Sequence, residues 1–407
     1  MRYLFCPYNL AIFGDCFFYR YVFEMMKVYF DNAASTPMDP QVAEQMLPYL
    51  SGYIGNPSST HAHGRALRGV IESARRTIAE CLECTPGEIC FTSGGTEADN
   101  TVLRGTVAGQ GIQHIISTPI EHHAVTHTIE QLEAEGKVKA HWLSVDAEGH
   151  IDLQELESLL KDGPSSLVSL MHGNNEIGTL HDLQAIGELC QEHNALFHSD
   201  TVQTMGHFRY NMKESPLHFA AASAHKFYGP KGVGFMYVKN GQKLPGLILG
   251  GGQERNQRAG TENVACIAGM AFALKKCYDK LDEKEAHLRS LKSYMIQQLN
   301  AHLPKVQYNG CLDADKSLAT VLNVAPPCGE QDAMLTFRMD LAGISASGGS
   351  ACNSGANQGS HVLRALGHPA SRTQNSIRFS FGPQNTREEV DYAVQQLKEV
   401  VDSLIPA

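Results

Sequence analysis

The chain has 407 residues, room for two domains or for one large domain with an appendage. Hydrophobic residues make up 43% and charged residues 19%, the balance of a soluble globular protein with a substantial core. The net charge of −10 argues against a basic nucleic-acid-binding face, and no uninterrupted apolar run reaches the ~18 residues of a membrane span. Eleven cysteines, scattered and odd in number, read as reduced thiols of a cytoplasmic protein rather than a disulfide framework.

Residues 1–25 are rich in aromatics and interrupted by Pro7, Gly14 and Asp15, a poor match to a cleavable signal peptide. Met26 opens a more ordinary stretch. The expectation is that translation starts at Met25 or Met26 and that 1–25 is a non-native extension.

From about residue 65 to 270, short apolar runs alternate with amphipathic helical stretches. Ile89–Thr92, His114–Ser117, Ala140–Leu143, Ser166–Met171, Ala195–His198, Phe219–Ser223 and Gly234–Val238 read as strands. Gly64–Leu82, Glu97–Val107, Ala124–Glu135 and Asp182–His193 read as helices between them. This rhythm implies right-handed crossovers and an α/β fold with a mostly parallel seven-stranded sheet. One long helix is expected over Asn263–Leu299, leading into a smaller α+β C-terminal domain with strands at Leu318–Val324 and Ser376–Ser380. The helix Arg387–Leu404 closes that domain. The domain boundaries that follow are 26–45 for an N-terminal segment joining the small domain, 46–280 for the large domain, and 281–407 for the small one.

Ligands of open parallel sheets collect beyond the carboxyl ends of the strands, and the polar residues of interest fall there. In Ser93-Gly94-Gly95-Thr96 a strand gives way to a helix, where glycines admit a close ligand and free amides favour an anion such as phosphate. It is neither a Walker loop nor G-x-G-x-x-G. Asp200 ends an apolar strand and needs a cationic partner, such as a protonated pyridine nitrogen. Lys226 follows the next strand, where a lysine of depressed pKa can condense with a cofactor aldehyde. An acid, a lysine one strand further on and a phosphate cup form the pattern of pyridoxal phosphate enzymes.

Cys352 lies in Ser-Gly-Gly-Ser-Ala-Cys-Asn-Ser-Gly-Ala-Asn-Gln-Gly-Ser (347–360), which offers little to pack a thiol. Read from its own loop, the residue is either an incidental loop cysteine or a mobile nucleophile. Cys81 and Cys84 form a lone C-x-x-C best read as helix packing. His172 and His361 read as packing or loop residues. No group of His, Cys and carboxylates has metal-ligand spacing, so no metal is expected.

Nearly the whole chain from Val28 resembles the cysteine desulfurases of the class V aminotransferase family, the iron–sulfur cluster group with the longer cysteine loop. The stretches that carry the resemblance include Phe-Asp-Asn-Ala-Ala-Ser-Thr-Pro (30–37), Thr-Ser-Gly-Gly-Thr-Glu-Ala-Asp-Asn (92–100) and Glu-His-His-Ala-Val (121–125). They continue with Met-His-Gly-Asn-Asn-Glu-Ile-Gly (171–178), His-Ser-Asp-Thr-Val-Gln (198–203), Ala-His-Lys-Phe-Tyr-Gly-Pro-Lys-Gly (224–232) and Arg-Ala-Gly-Thr-Glu-Asn (258–263). Gly-Ser-Ala-Cys (349–352) and Ser-Ile-Arg-Phe-Ser (376–380) complete the set.

The resemblance implies a fold-type I, pyridoxal 5′-phosphate-dependent transferase that converts L-cysteine to L-alanine and leaves a persulfide on the enzyme. Lys226 is then the cofactor lysine, Asp200 the partner of the ring nitrogen, His122 the proton shuttle over the ring, and Gln203 a contact of the ring hydroxyl. Gly95, Thr96, Ser223 and His225 would hold the phosphate, with Thr261 from the other subunit of a homodimer. Asn175 and Arg378 would fix the substrate carboxylate, and Cys352 would accept the sulfur for an iron–sulfur scaffold or another acceptor. Two departures stand out. Thr201-Val202 replaces the small residues usual before the glutamine, and the loop after Cys352 is unusually rich in glycine. A lyase or aminotransferase acting on another amino acid, such as selenocysteine, and a non-catalytic sulfur carrier are the alternatives.

Overall fold

The computed structural model describes residues 26–161, 165–328, 334–348 and 359–404. Cys352 and residues 1–25, about which expectations are stated above, lie outside these.

Seven strands form the central sheet, in the order Ile89–Thr92, Gly234–Val238, Phe219–Ser223, Leu196–Asp200, Ser166–Ser169, His114–Ser117 and Lys139–Trp142. The sheet is parallel except for Gly234–Val238, which runs antiparallel to both its neighbours. Its strands are apolar on both faces, as a sheet covered by helices on each side requires. Along Phe219–Ser223 the faces alternate: Ala220 and Ala222 enter the core that packs helices Ala62–Cys81 and Val264–Asp279. Phe219 and Ala221 enter the opposite core, with Ala98 and Val102 of helix Gly95–Gln110 and Val125 of helix His123–Ala134. On helix Ala62–Cys81, Leu67, Ile71, Ala74 and Ile78 recur at the three- and four-residue spacing that builds one buried face.

The expected strands all form, and four of the seven in the central sheet have the expected ends. Leu196–Asp200 runs two residues beyond its expected end, because ladder bonds to Phe219–Ser223 continue as far as Asp200 and Ala221. The expected helix over Asn263–Leu299 is two helices, Val264–Asp279 and Leu281–His302, broken at Lys280 (φ −118°, ψ 21°). The first packs on the central sheet and the second in the C-terminal core, so one straight rod could not bury both apolar faces.

That C-terminal core is built on an antiparallel sheet ordered Ser347–Gly348, Ile377–Ser380, Val321–Ala325 and Gln307–Asn309. Val28 and Phe30 pack into it, and Val28–Tyr29 pairs in parallel with Ile344–Ser345. Residues 31–37 then run back to the large sheet, where Thr36 N donates to the carbonyl of His225 (2.8 Å). Among the described residues no helix is long and apolar enough to cross a membrane.

A buried ion pair fixes the edge of the sheet nearest the glycine turn. Arg75 is 2% exposed and grips Glu254 through two hydrogen bonds of 2.7 Å, while also donating to the carbonyl of Ile89 (2.8 Å). Glu254 in turn accepts from the amide of Phe91 (2.8 Å), and the guanidinium lies 4.5 Å from the centre of the Phe91 ring. Glu254, Arg255 and Asn256 all hold positive φ (43°, 57° and 67°), so the pair secures a strained loop to the strand. Glu254→Ala, which leaves Arg75 buried without its anion, is expected to cost about 3–5 kcal/mol of stability. Chemical denaturation should show this as a lowered midpoint, and an unchanged midpoint would contradict the role given to the pair.

Candidate active site

The carboxyl edge of the central sheet brings the expected cofactor residues together. Thr92, Gly234 and Ser223 sit side by side in the ladder, and the glycine turn packs onto them. A Cβ on Gly234 would lie 2.3 Å from the carbonyl of Ala222 and 2.8 Å from Cα of Gly94, so only glycine admits this approach. A Cβ on Gly95 would meet Val202 at 2.5 Å. The 16-residue helix Gly95–Gln110 starts here, and its N-cap, Gly94, supplies no side-chain cap. First-turn amides therefore stay available to an anion beside Thr96 and the hydroxyl of Ser223.

His225 flanks the cup, with Nδ1 3.3 Å from Ser35 Oγ. Burial, followed by the charge of Lys226, lowers its pKa to about 4, so the ring is neutral and can donate a hydrogen bond. Thr261 is exposed, and no hydrogen bond among the described residues joins it to this cup. Its loop is tied instead by Arg258, which makes bonds of 2.9 and 3.1 Å to Glu97 in the first turn of the helix.

Lys226 ends the short 3₁₀ turn Ala224–Lys226 that follows its strand. Its Nζ donates to the carbonyls of Ala33 (2.5 Å) and Ala34 (3.0 Å), and Gln203 Nε2 also donates to Ala33 O (2.9 Å). His122 caps helix His123–Ala134, with Nδ1 accepting from the amide of Ala124 (3.1 Å). Burial holds His122 below its ordinary pKa against the attraction of Asp200, with Lys226 adding to the decrease. A neutral ring beside a lysine and an acid is suited to passing protons.

Asp200 is the last residue of its strand and 7% exposed, with one carboxylate oxygen accepting from the amide of Val202 (2.9 Å). Burial raises its pKa, and the opposing pull of His122 and Lys226 does not cancel the rise. Asp200 in turn raises two further buried carboxyls. Asp99, from helix Gly95–Gln110, lies 3.4 Å from His198 Nε2 and is raised well above the usual carboxyl range by burial, then by Asp200 and Glu121. Glu121 accepts from the amide of Met171 (2.9 Å) and from Thr118 Oγ1 (3.1 Å), and burial raises it to about 8. A cationic ring nitrogen against Asp200 is the counter-charge this group lacks, so the donor set fits pyridoxal phosphate at both ends: phosphate on the helix start, pyridinium on the acid.

Arg378 is 5% exposed and held between two groups. Its Nη1 donates to the carbonyl of Asn175 (2.9 Å) and its Nη2 to Asp31 (2.8 Å). Its Nε is buried with no hydrogen-bond partner, an open donor for a ligand carboxylate beside Asn175. Asp31, the carbonyls of Ala33 and Ala34, Asp99, Glu121 and His198 had no assigned role in the sequence. Asp99 and Glu121 had a readable signal, acids in otherwise apolar or capping surroundings, but their approach to Asp200 is tertiary.

The cysteines and histidines set aside as packing residues behave so. Cys81 and Cys84 lie against the core, and burial raises their thiols to about 11 and 12, beyond ready ionisation. His172 bonds Tyr210 through Nδ1 (2.5 Å), and burial drops it to about 3. His361 contacts the carbonyl of Glu121 (3.0 Å).

The aminotransferase class-V profile matches residues 28–393. The chain belongs to that family. As a class-V member it uses pyridoxal 5′-phosphate. It is 43% identical over 383 residues to putative cysteine desulfurase IscS 1 of Bacillus subtilis, covering 93% of this chain and all of the relative. It is 40% identical over 377 residues to cysteine desulfurase IscS of Clostridium botulinum, covering 92% and 94% of the two chains. Among solved structures, a NifS-like protein superposes with a TM-score of 0.86 at 36% identity, covering 93% of this chain and 100% of that one. SspA in complex with cysteine superposes at 0.76 and 31% identity, covering 89% and 100%. This class-V enzyme is therefore built like NifS-type proteins over nearly its full described length.

The raised carboxyls make stability depend on pH. Glu121 titrates near 4.5 when unfolded and near 8 when folded, so its contribution is fully present below pH 4.5 and is lost as pH rises through 8. The cofactor-free protein is expected to lose stability over that window, and Glu121→Gln to flatten the decline. A pH–stability curve with the same slope in both proteins would refute the assignment.

Proposed function

We propose that this protein is a cysteine desulfurase: L-cysteine gives up its sulfur to Cys352 as a persulfide and leaves as L-alanine, feeding iron–sulfur cluster assembly and other sulfur delivery. The observation that carries the reading is the meeting of Lys226, His122 and Asp200 at one sheet edge with Arg378, whose open Nε adjoins Asn175. The relatives named cysteine desulfurase support it. A plain aminotransferase would have no use for a nucleophilic thiol, which favours desulfuration over the alternatives.

When bound, pyridoxal phosphate supplies an electron sink conjugated with the α-carbon of the substrate. Arg378 and Asn175 hold the substrate carboxylate and thereby set which bonds at the α-carbon face Lys226. Lys226 would remove the α-proton and hold it on Nζ. The backbone carbonyls of Ala33 and Ala34 stabilise that charged amine. Asp200 would hold the ring nitrogen in its protonated form, and His122, a neutral ring, would relay protons.

Cys352 as thiolate attacks the substrate sulfur. The Cys352–sulfur bond forms, the substrate Cβ–S bond breaks, and its electron pair stays with the three-carbon fragment, which gains protons to become alanine. The enzyme thiol is oxidised to the persulfide level and the substrate carbon is reduced, so no outside oxidant is needed.

We further propose a homodimer in which Thr261 reaches the partner's phosphate cup. The exposed apolar side chains Leu50 (64%), Ile54 (79%) and Leu249 (85%) support a surface covered by a second copy.

Three outcomes check the reading. Incubation with L-cysteine should yield alanine and a persulfide located on Cys352 by mass spectrometry. Cys352→Ala should bind cofactor and cysteine yet release no sulfide, and wild-type turnover in that variant would rule out the nucleophile. Arg378→Ala should raise KM for cysteine by tenfold or more, the equivalent of the ~1.5–3 kcal/mol of a charge-assisted bond. An unchanged KM would remove Arg378 from substrate binding.

A further inference from the structure

Outside the pyridoxal site, the fold gathers Glu148, His150 and Cys311, whose ligand-type atoms all lie within 4.8 Å of one another. Residues of three chemical types arrive from two segments that are remote in sequence. Glu148 and His150 occupy a tight turn between the paired Val145 and Ile151. Asp146 Oδ1 accepts from the amides of both Glu148 and His150 (2.9 Å each), and Gly149 takes the positive φ (88°) that lets the turn close. Cys311 follows the strand Gln307–Asn309 and Gly310 (φ 85°).

Thr179 joins the two segments: its hydroxyl donates to the carbonyl of Glu148 (2.5 Å) and accepts from the amide of Cys311 (3.1 Å). The backbones are thus fixed independently of the three side chains. Within the cluster, His150 Nδ1 lies 3.9 Å from Glu148 Oε2, while its Nε2 is buried with no hydrogen-bond partner. Cys311 is 4% exposed, and Glu148 opens to solvent. The thiol has no part in the desulfurase chemistry.

We propose that Glu148, His150 and Cys311 form a binding site for a thiophilic divalent cation, zinc, which clamps the 145–151 turn to the 309–313 loop. A thiolate, an imidazole and a carboxylate together suit zinc better than calcium or magnesium, which favour oxygen alone. Bonds of ~2.0–2.3 Å set tetrahedral ligand atoms about 3.3–3.8 Å apart, within reach of side-chain rotation from the present spacing. Binding releases the Cys311 proton to solvent, and the three side chains each donate an electron pair, with no change of oxidation state. Water completes the fourth position on the open side of Glu148. The turn follows the edge strand of the central sheet and Cys311 follows the edge strand of the C-terminal sheet, so the ion would tie segments that extend from the two sheets.

The test uses the full-length, pyridoxal-loaded chain carrying Cys352→Ser, so that the loop thiol cannot contribute, equilibrated with buffered zinc. One zinc per chain is expected, with a zinc-edge X-ray absorption spectrum showing one sulfur among nitrogen or oxygen neighbours. Cys311→Ser should abolish the sulfur shell. Glu148→Gln, at an exposed position that leaves the fold intact, should weaken zinc about tenfold or more, since even outer-shell changes cost 10–100-fold. Substoichiometric zinc, a sulfur shell that survives Cys311→Ser, or unchanged affinity in Glu148→Gln would each overturn the proposal.

Discussion

The site is organised around a buried cluster of carboxyl groups. Asp200, Asp99 and Glu121 come from a strand, a helix and a capping turn, and burial pushes all three toward their neutral forms. A carboxylate in such a place is costly unless a cation meets it. In the function we propose, a protonated ring nitrogen against Asp200 would offset that cost. Asp200 in turn makes Asp99 and Glu121 harder to ionise.

A second constraint is the path of residues 28–37. Val28 and Phe30 belong to the C-terminal core, whereas Ala33, Ala34 and Thr36 bond the lysine, glutamine and histidine of the large sheet. Asp31 lies between, gripping Arg378. One short stretch of chain therefore spaces Arg378 from Lys226. The Arg75–Glu254 pair performs a similar service at the other edge, where it holds a strained loop against the strand that leads to the phosphate cup.

Much of this was legible in the sequence because sheet edges obey simple rules. Apolar runs with the right spacing mark strands, and the polar residue that ends each run must lie at the ligand edge, as Thr92, Asp200 and Ser223 do. The break at Lys280 was not legible: the residues on both sides favour helix, and only the different cores that the two halves pack against decide the bend.

Local pattern by itself determined the α/β class, the segments that form the large sheet and the candidacy of Lys226, Asp200 and the glycine turn, since each depends on neighbours along the chain. Tertiary structure alone decided that Asp99 and Glu121 crowd Asp200, that Asp31 holds Arg378, and that Cys311 comes to Glu148 and His150. These are through-space contacts between segments remote in sequence, and both electrostatic energy and metal coordination depend on distance in space, which residue spacing does not encode.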